Sequence, residues 1–281
     1  MIEDLAQRLG RIAGVAAVAL GGSRARGTHR PDSDFDLGIF YREASPFRIE
    51  DVKQLAAELS DLPDPVVTDF GRWGRWVNGG AWLTIRGQRV DFIYRNLDDL
   101  ARVFEACQQG QIEWDFGQQP PYGFHSYVYL GELSAAQALY DPDHALRRLK
   151  ERLVPYPPRL KRAIINRLLW GCEFDLTHAK SFAQRGDVYN AAGCLTRIAC
   201  QLVQVLYALN EQYFVNDKGA LDEIERFSLR PDRFASILTR VLACPGATSD
   251  ELVESARGMG GLVEETARLC GRLYARPEFH A

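Results

Sequence analysis

The fold is decided by one stretch of the chain, Leu20-Gly21-Gly22-Ser23-Arg24-Ala25-Arg26-Gly27-Thr28-His29-Arg30-Pro31-Asp32-Ser33-Asp34-Phe35-Asp36-Leu37-Gly38-Ile39-Phe40. An apolar run over residues 15–20 leads into its glycine turn, and a second apolar run follows its last aspartate. Short apolar runs bounded by turn residues are typical of buried strands. The stretch therefore predicts a strand, a loop of a size to hold a phosphate group, and a second strand.

Asp34 and Asp36 are two residues apart at the start of the second strand. Because side chains alternate between the two faces of a strand, both carboxylates are expected to project from the same face. Two carboxylates held together repel each other unless a cation lies between them. Their oxygens are the ligands that Mg²⁺ prefers, and Mg²⁺ also keeps waters and substrate phosphates in its shell. The spacing therefore predicts a magnesium site.

The glycines before the aspartates predict a site for an anion. Gly21 and Gly22 allow the backbone to approach a phosphate closely, and Ser23 offers an N–H and a hydroxyl donor if it opens a short helix. Together, the loop and the carboxylates predict a site for a metal-bound nucleoside triphosphate. The alternative is a glycine hairpin followed by a solvated acidic turn, since turns rich in aspartate are common.

The order Gly22-Ser23, Arg26-Gly27 and Asp34-x-Asp36 resembles the signature of the DNA polymerase beta-like nucleotidyltransferases, especially their minimal and antibiotic-modifying branches. The resemblance implies that Gly22, Ser23 and Arg26 bind the nucleotide. It also implies that Mg²⁺ and ATP are the cofactor and the nucleotide donor. Loop, spacing and flanking apolar runs all agree with this family.

Asp91 is the third acidic residue of interest, in the apolar segment Val90-Asp91-Phe92-Ile93-Tyr94. A charged group between apolar neighbours on a strand is costly unless it is paired or binds a metal. In the resembled superfamily a later strand supplies a third carboxylate, which implies Asp34, Asp36 and Asp91 as catalytic and metal-binding residues. Asp91 would complete the coordination of a second ion or take the proton from the attacking hydroxyl. The alternatives are that Asp91 faces water on an edge strand, or pairs with Arg89 or Arg24.

Hydrophobic periodicity outlines the remaining elements. It predicts helices over residues 2–12 and 47–59, and strands over residues 66–70, 81–86 and 89–95. A loop with tryptophans and arginines over residues 71–80 either packs the domain or stacks on a base. Further helices are predicted over residues 97–109, 127–139, 159–184, 188–209, 233–242 and 249–274, the last capped by Ser249.

These elements predict an α+β fold, in which a small mixed sheet with helices on one face is followed by an all-α helical bundle. The irregular segment over residues 110–124, rich in glycine and proline, sets the expected domain boundary. We therefore predict a catalytic nucleotidyltransferase domain over residues 1–124 and an α-helical substrate-binding domain over residues 125–281, with the acceptor in the cleft between them.

Composition limits the functions that the chain can have. Of its 281 residues 46% are hydrophobic, as in a folded globular protein, and its net charge of −3 gives no overall attraction to nucleic acid or to an anionic membrane. The six cysteines lack zinc spacing, and the first residues lack the basic start and apolar core of a secretory signal. We therefore expect a cytoplasmic protein that is not bound to a membrane.

Lys218 lies in Asn210-Glu211-Gln212-Tyr213-Phe214-Val215-Asn216-Asp217-Lys218-Gly219. This segment resembles the one after the long helix in kanamycin- and streptomycin-type nucleotidyltransferases. The resemblance implies that Lys218 reaches the β- and γ-phosphates of the nucleotide and offsets charge as pyrophosphate leaves. The alternative is an exposed lysine in a turn that ends a helix.

The predicted reaction is the transfer of AMP from ATP to a hydroxyl of a small molecule, with release of pyrophosphate. An aminoglycoside-like antibiotic is one such acceptor, and Glu173, Asp175 and Glu211 are the acidic residues of the bundle that could face it. Two alternatives stay open: nucleotidylation of a protein or nucleic acid, and nucleotide binding without turnover. The sequence is compatible with a monomer or a homodimer.

Overall fold

The computed structural model describes residues 1–119 and 121–276. The chain divides into two compact units. The first comprises residues 1–106 and 113–155, and the second comprises residues 107–112 and the chain from residue 156 onwards. The division of the structure thus lies between Pro155 and Tyr156, later than the domain boundary predicted at residue 124, because residues 137–140 add a strand to the sheet of the first unit.

Within the described residues the first unit holds one six-stranded sheet and one two-stranded sheet. The strands are β1 (Val15–Leu20), β2 (Phe35–Tyr41), β3 (Val66–Val67), β4 (Gly80–Ile85), β5 (Gln88–Asn96), β6 (Trp114–Asp115), β7 (Phe124–His125) and β8 (Gln137–Tyr140). The larger sheet has the order β3-β4-β5-β2-β1-β8. Its β2–β5 pair is parallel and its other pairs are antiparallel, so the predicted mixed sheet is confirmed.

The helices of the first unit are α1 (Ile2–Gly10), α2 (Gly22–Ala25), α3 (Ile49–Leu59), α4 (Leu97–Gln108), α5 (Val128–Ala135) and α6 (Ala145–Glu151). The last two residues of α4 belong to the second unit. The apolar faces of α1 and α3 share one core with the alternate side chains of β2 and β5. Leu37 and Ile39 of β2 and Phe92 of β5 are completely buried there. Because alternation turns every second residue away from this core, the polar residues of the same strands lie on the other face of the sheet.

The second face of the sheet is covered at one end by α5. Arg95 of β5 is only 8% exposed and makes two hydrogen bonds of 2.9 Å to the carboxylate of Glu132 in α5. Burial disfavours the charged guanidinium, but Glu132 holds the pKa of Arg95 above its ordinary value. This ion pair therefore joins α5 to the sheet, four residues further along β5 than Asp91.

The helix predicted over residues 127–139 is shorter than expected. It ends at Ala135, and residues 137–140 form β8, which pairs antiparallel with β1 from Leu20 to Val18. The prediction was wrong for these residues because a short apolar run fits a helix or a strand equally well. The ladder with β1 decides between them.

The second unit is helical throughout its regular elements in the described part of the chain. Its α-helices are α7 (Pro158–Gln184), α8 (Val188–Leu209), α9 (Ala220–Ile224), α10 (Phe234–Ala243) and α11 (Ser249–Cys270), and a short 3-10 helix (Gly271–Leu273) follows α11. The predicted α+β fold with a C-terminal helical bundle is therefore confirmed. The capping residue of α11 was predicted wrongly, because Thr248 rather than Ser249 caps it, in a capping box with Glu251.

Of the described helices, α8 has the length and apolar composition of a membrane-spanning segment. However, 72% of its most apolar window is buried inside the structure. Gly171 of α7 lies against it, since a Cβ added there would meet the amide oxygen of Gln201 at 2.1 Å. α8 is thus packed as the core helix of this unit.

Candidate functional site

The glycine loop lies directly between β1 and the short helix α2. Gly22, the first residue of α2, has a φ of +61°, and a Cβ added to it would lie 1.7 Å from Oδ2 of Asp36. The preceding N–H, of Gly21, donates a 2.8 Å hydrogen bond to the carbonyl oxygen of Asp36. The loop therefore needs a glycine at position 22, because the carboxylate of Asp36 occupies the space of any side chain there.

Asp36 and Asp91 are partners in the register of the parallel pair β2–β5. Partners in a ladder place their side chains on the same face of the sheet. This face is opposite to the buried core, because Leu37 and Phe92, the next residues along each strand, are completely buried. The structure thus brings two of the three predicted acids together beside the glycine loop.

Asp34 lies just before β2 and has a different neighbour. Its Oδ1 lies 2.6 Å from Nε of Arg89, and Nη2 of Arg89 donates a 3.2 Å hydrogen bond to the carbonyl oxygen of Asp32. Among the described residues Asp34 Oδ1 has no partner with the geometry of a hydrogen bond, so its contact with Arg89 is one between charges. Arg89, which the sequence offered as an alternative partner of Asp91, thus contacts Asp34.

Arg24 connects the glycine loop to the aspartate segment. Its Nε donates 3.1 Å hydrogen bonds to the carbonyl oxygens of Ser33 and Asp34, and its Nη2 donates one of 2.6 Å to Ser33. Arg24 therefore holds the backbone that carries Asp34.

Ser23 and Arg26 lie in and directly after α2. Ser23 is in the first turn, where backbone N–H groups have no partner within a helix. Both side chains are half-buried on the same loop as Gly22. Their assignment to the nucleotide stays a prediction, and so does that of Gly22.

The chemistry of these residues fits a divalent metal ion. Carboxylate oxygens are hard ligands, and Mg²⁺ is commonly held by one or two carboxylates together with substrate phosphates. Asp36 and Asp91 supply such a pair, and Asp34 Oδ1 is a buried oxygen with spare acceptor capacity. Within residues 1–119 and 121–276, however, no three or more His, Cys, Asp or Glu side chains form a group arranged to hold a metal. Joint ligation by all three aspartates therefore stays a prediction.

The loop over residues 71–80 packs against its own unit. Trp73 stacks on Trp82 of β4 with ring centroids 4.6 Å apart, and the guanidinium of Arg75 lies 4.5 Å from the ring of Trp76. Trp76 is 2% exposed. The packing alternative for this loop is therefore the one that the structure shows. Trp82 is also the register partner of Asp91.

The acidic candidates of the bundle all have partners within the second unit. Glu173 accepts hydrogen bonds from Tyr274 (2.8 Å) and Arg276 (2.6 Å), and Glu211 pairs with Lys161 at 2.9 Å. Asp175 is 4% exposed and accepts a 2.7 Å hydrogen bond from Gln201, and burial raises its pKa. These contacts make Asp175 part of the packing between α7 and α8.

Lys218 lies in the loop between α8 and α9 and is exposed. Its backbone N–H donates a 3.0 Å hydrogen bond to the side chain of Asn216. Its predicted role at the phosphates stays a prediction.

The contact of Arg89 with Asp34 was not predicted from the sequence, where Arg89 was named only as an alternative partner of Asp91. The signal was present, because Arg89 is two residues before Asp91 on the same strand and must share its face. Alternation was applied to Asp34 and Asp36 alone.

Two family models match the chain. The model described as a nucleotidyltransferase domain matches residues 2–106, and a domain of unknown function, DUF4037, matches residues 126–218. No curated protein matches. A solved structure, described as a nucleotidyltransferase-like protein from Exiguobacterium sibiricum 255-15, is similar over 97% of this chain and 78% of its own, with a TM-score of 0.49 and 9% identity.

The site and the first family model together define the class. The N-terminal part of the chain is a nucleotidyltransferase domain, and a DUF4037 region follows it. The domain indicates a transferase that acts on a nucleotide, and nucleotidyltransferase domains in general use a nucleoside triphosphate and a divalent metal ion.

Proposed function

We propose that the protein transfers a nucleoside monophosphate, AMP from ATP, to a hydroxyl group of a small hydroxylated acceptor such as an aminoglycoside. The acceptor oxygen forms a bond to the α-phosphorus, the bond from that phosphorus to the bridging oxygen breaks, and pyrophosphate leaves with the electron pair. The observation that carries the proposal is the register of Asp36 and Asp91 on adjacent parallel strands, beside the glycine loop.

Each predicted site residue has a distinct part in this proposal. Gly22 and Ser23 approach the triphosphate, and Arg26 adds positive charge on the same loop. Asp34 and Asp36 would hold Mg²⁺, which would supply positive charge to the phosphates. Asp91 completes the ligand set or accepts the proton of the acceptor hydroxyl. Lys218 balances charge on the leaving pyrophosphate.

The test uses the full chain with ATP labelled at the α-phosphate, MgCl₂ and a library of hydroxylated acceptors that includes aminoglycosides. We expect pyrophosphate release that depends on an acceptor, and label that moves into that acceptor. Asp36→Asn and Asp91→Asn are expected to reduce the rate by at least about a hundredfold. The matched control is Glu50→Gln, an exposed residue of α3 whose helix packs on the opposite face of the sheet.

Other outcomes would replace the proposal. Label that enters only macromolecules of a lysate would indicate nucleotidylation of a protein or nucleic acid. ATP binding by calorimetry without turnover on any acceptor would indicate a nucleotide-binding regulator. Full activity of Asp36→Asn would contradict the assignment of the site itself.

A further inference from the structure

Arg89 completes a two-by-two block of charged side chains on one face of the sheet. Phe35 is the register partner of Val90, and Asp36 is that of Asp91. Extending this ladder by one residue places Asp34 opposite Arg89, which agrees with their 2.6 Å contact. Since Asp34 and Asp36 are two apart, as are Arg89 and Asp91, all four side chains share one face.

The block has more negative than positive charges. Three carboxylates and one guanidinium carry a formal charge of −2, whereas the three carboxylates alone would carry −3. Arg89 therefore supplies positive charge at one corner of the predicted metal site. Its Nε lies at Asp34 Oδ1, where a carboxylate would otherwise be free to take a cation.

We propose that Arg89 is the resident counter-charge of Asp34 and competes with a divalent cation for that carboxylate. The inference rests on the proposed function, because it concerns the same metal site. A cation that binds Asp34 through Oδ1 meets the guanidinium of Arg89 at the same oxygen, and the repulsion between the two positive charges weakens its binding. Arg89 is thus a positioning residue that sets how tightly the site binds metal in the absence of nucleotide.

The exposure of the two side chains makes such an exchange feasible. The side chain of Arg89 is 65% exposed and that of Asp34 is 32% exposed. The pair is partly open to solvent although Oδ1 of Asp34 itself is buried, and the loss of such an ion pair costs the fold little. The neighbouring Val90 points into the core and is completely buried, whereas Arg89 points to the other face of the sheet. The long arginine side chain can therefore move into solvent without disturbing the core.

The experiment measures binding of Mn²⁺ to the full chain without nucleotide, using the electron paramagnetic resonance signal of free Mn²⁺. We expect Arg89→Gln to bind Mn²⁺ about fivefold more tightly than the native protein, which corresponds to an ion pair of about 1 kcal/mol. Arg89→Lys, which keeps the charge, should bind within about twofold of the native protein. The matched control is Arg86→Gln, an exposed arginine in the turn of the same hairpin, which should also stay within about twofold.

A double-mutant cycle separates contact with Asp34 from a general effect of charge. In the Asp34→Asn background, Arg89→Gln should no longer change the affinity for Mn²⁺, because the carboxylate for which the two cations compete is gone. Thermal unfolding gives an independent readout. Without divalent cations, Arg89→Gln should unfold at a lower temperature than the native protein. Addition of Mn²⁺ should remove this difference in unfolding temperature.

Equal affinities for Mn²⁺ in Arg89→Gln and Arg86→Gln would overturn the inference, as would an effect of Arg89→Gln that persists in Asp34→Asn. In both cases, Mn²⁺ binding in the presence of ATP would leave the proposed function intact. If no variant binds Mn²⁺, with or without ATP, the inference and the proposed function fail together.

Discussion

The guanidinium of Arg24 lies 3.7 Å from the centre of the Phe35 ring while it donates hydrogen bonds to the carbonyl oxygens of Ser33 and Asp34. One planar group thus contacts both the aromatic residue that opens β2 and the backbone just before it. A guanidinium can stack and donate in its own plane at the same time, which a rounded ammonium group cannot do. Arg24 therefore fixes the direction from which Asp34 and Asp36 enter the site.

Replacing Arg24 by lysine should lower activity while keeping the charge. The ammonium lacks the flat guanidinium that stacks on Phe35 while it donates to the two carbonyl oxygens, so the aspartate segment loses about 1–2 kcal/mol of positioning energy. We expect kcat/KM for ATP to fall about tenfold, measured by steady-state pyrophosphate release. Arg30→Lys, an exposed arginine of the same loop, is the control. Equal kinetics for Arg24→Lys and Arg30→Lys would show that Arg24 does not position the site.

Gly22→Ala should abolish activity while the fold is retained. Its methyl group would occupy the position of Asp36 Oδ2, and the residue would also have to keep a φ of +61°. The control is Gly87→Ala, because Gly87 has a φ of +74° and no atom within 4 Å of an added Cβ. We expect Gly87→Ala to lose about 1 kcal/mol of stability by thermal unfolding and Gly22→Ala to lose more, because Asp36 must also move, but only Gly22→Ala to lose pyrophosphate release. Normal turnover in Gly22→Ala would contradict the close contact with Asp36.

Lys218→Met tests the predicted role of the loop after α8. If Lys218 stabilises the leaving pyrophosphate, kcat should fall about tenfold or more while KM for the acceptor changes little. Lys180→Met is the control, an exposed lysine of α7 in the same unit. Unchanged kinetics in Lys218→Met would favour the alternative, an exposed lysine in a turn that ends a helix.

Elements with one strong local signal were predictable from the sequence. The bounds of β1 and α8 were predicted to the residue, because a glycine or an aspartate marks their ends. The strand β8 was missed because its identity depends on a partner, β1, that lies more than a hundred residues earlier in the chain. Periodicity within a short window contains no information about such a partner.

The candidate site was predictable only as a set of residue types. Strand alternation placed Asp34 and Asp36 on one face, but the register of β2 with β5 comes from tertiary pairing. The same holds for the ion pair of Arg89 with Asp34 and for the contact of Gly22 with Asp36. Each of these two contacts joins residues from different elements, and the sequence pattern does not specify how far apart those elements lie.

Asp217→Asn should stabilise the protein at neutral and alkaline pH. Burial raises the pKa of Asp217 to about 6, from 3.8 for an ordinary aspartate. Between these values the folded chain binds more protons than the unfolded chain, so this group lowers the free energy of unfolding as the pH rises from about 4 to 6. Asparagine removes that loss, because it carries no charge to bury.

Thermal unfolding across pH 4.5–8 measures this difference. We expect Asp217→Asn to exceed the native protein by about 1 kcal/mol at pH 8, since partial exposure weakens the burial effect, and the gain should shrink towards pH 4.5. Asp232→Asn, which replaces an exposed aspartate of the same unit, is the control and should give a difference near zero. If Asp217→Asn were less stable than the native protein at pH 8, the charged carboxylate would have to be stabilised by a favourable contact that outweighs its burial.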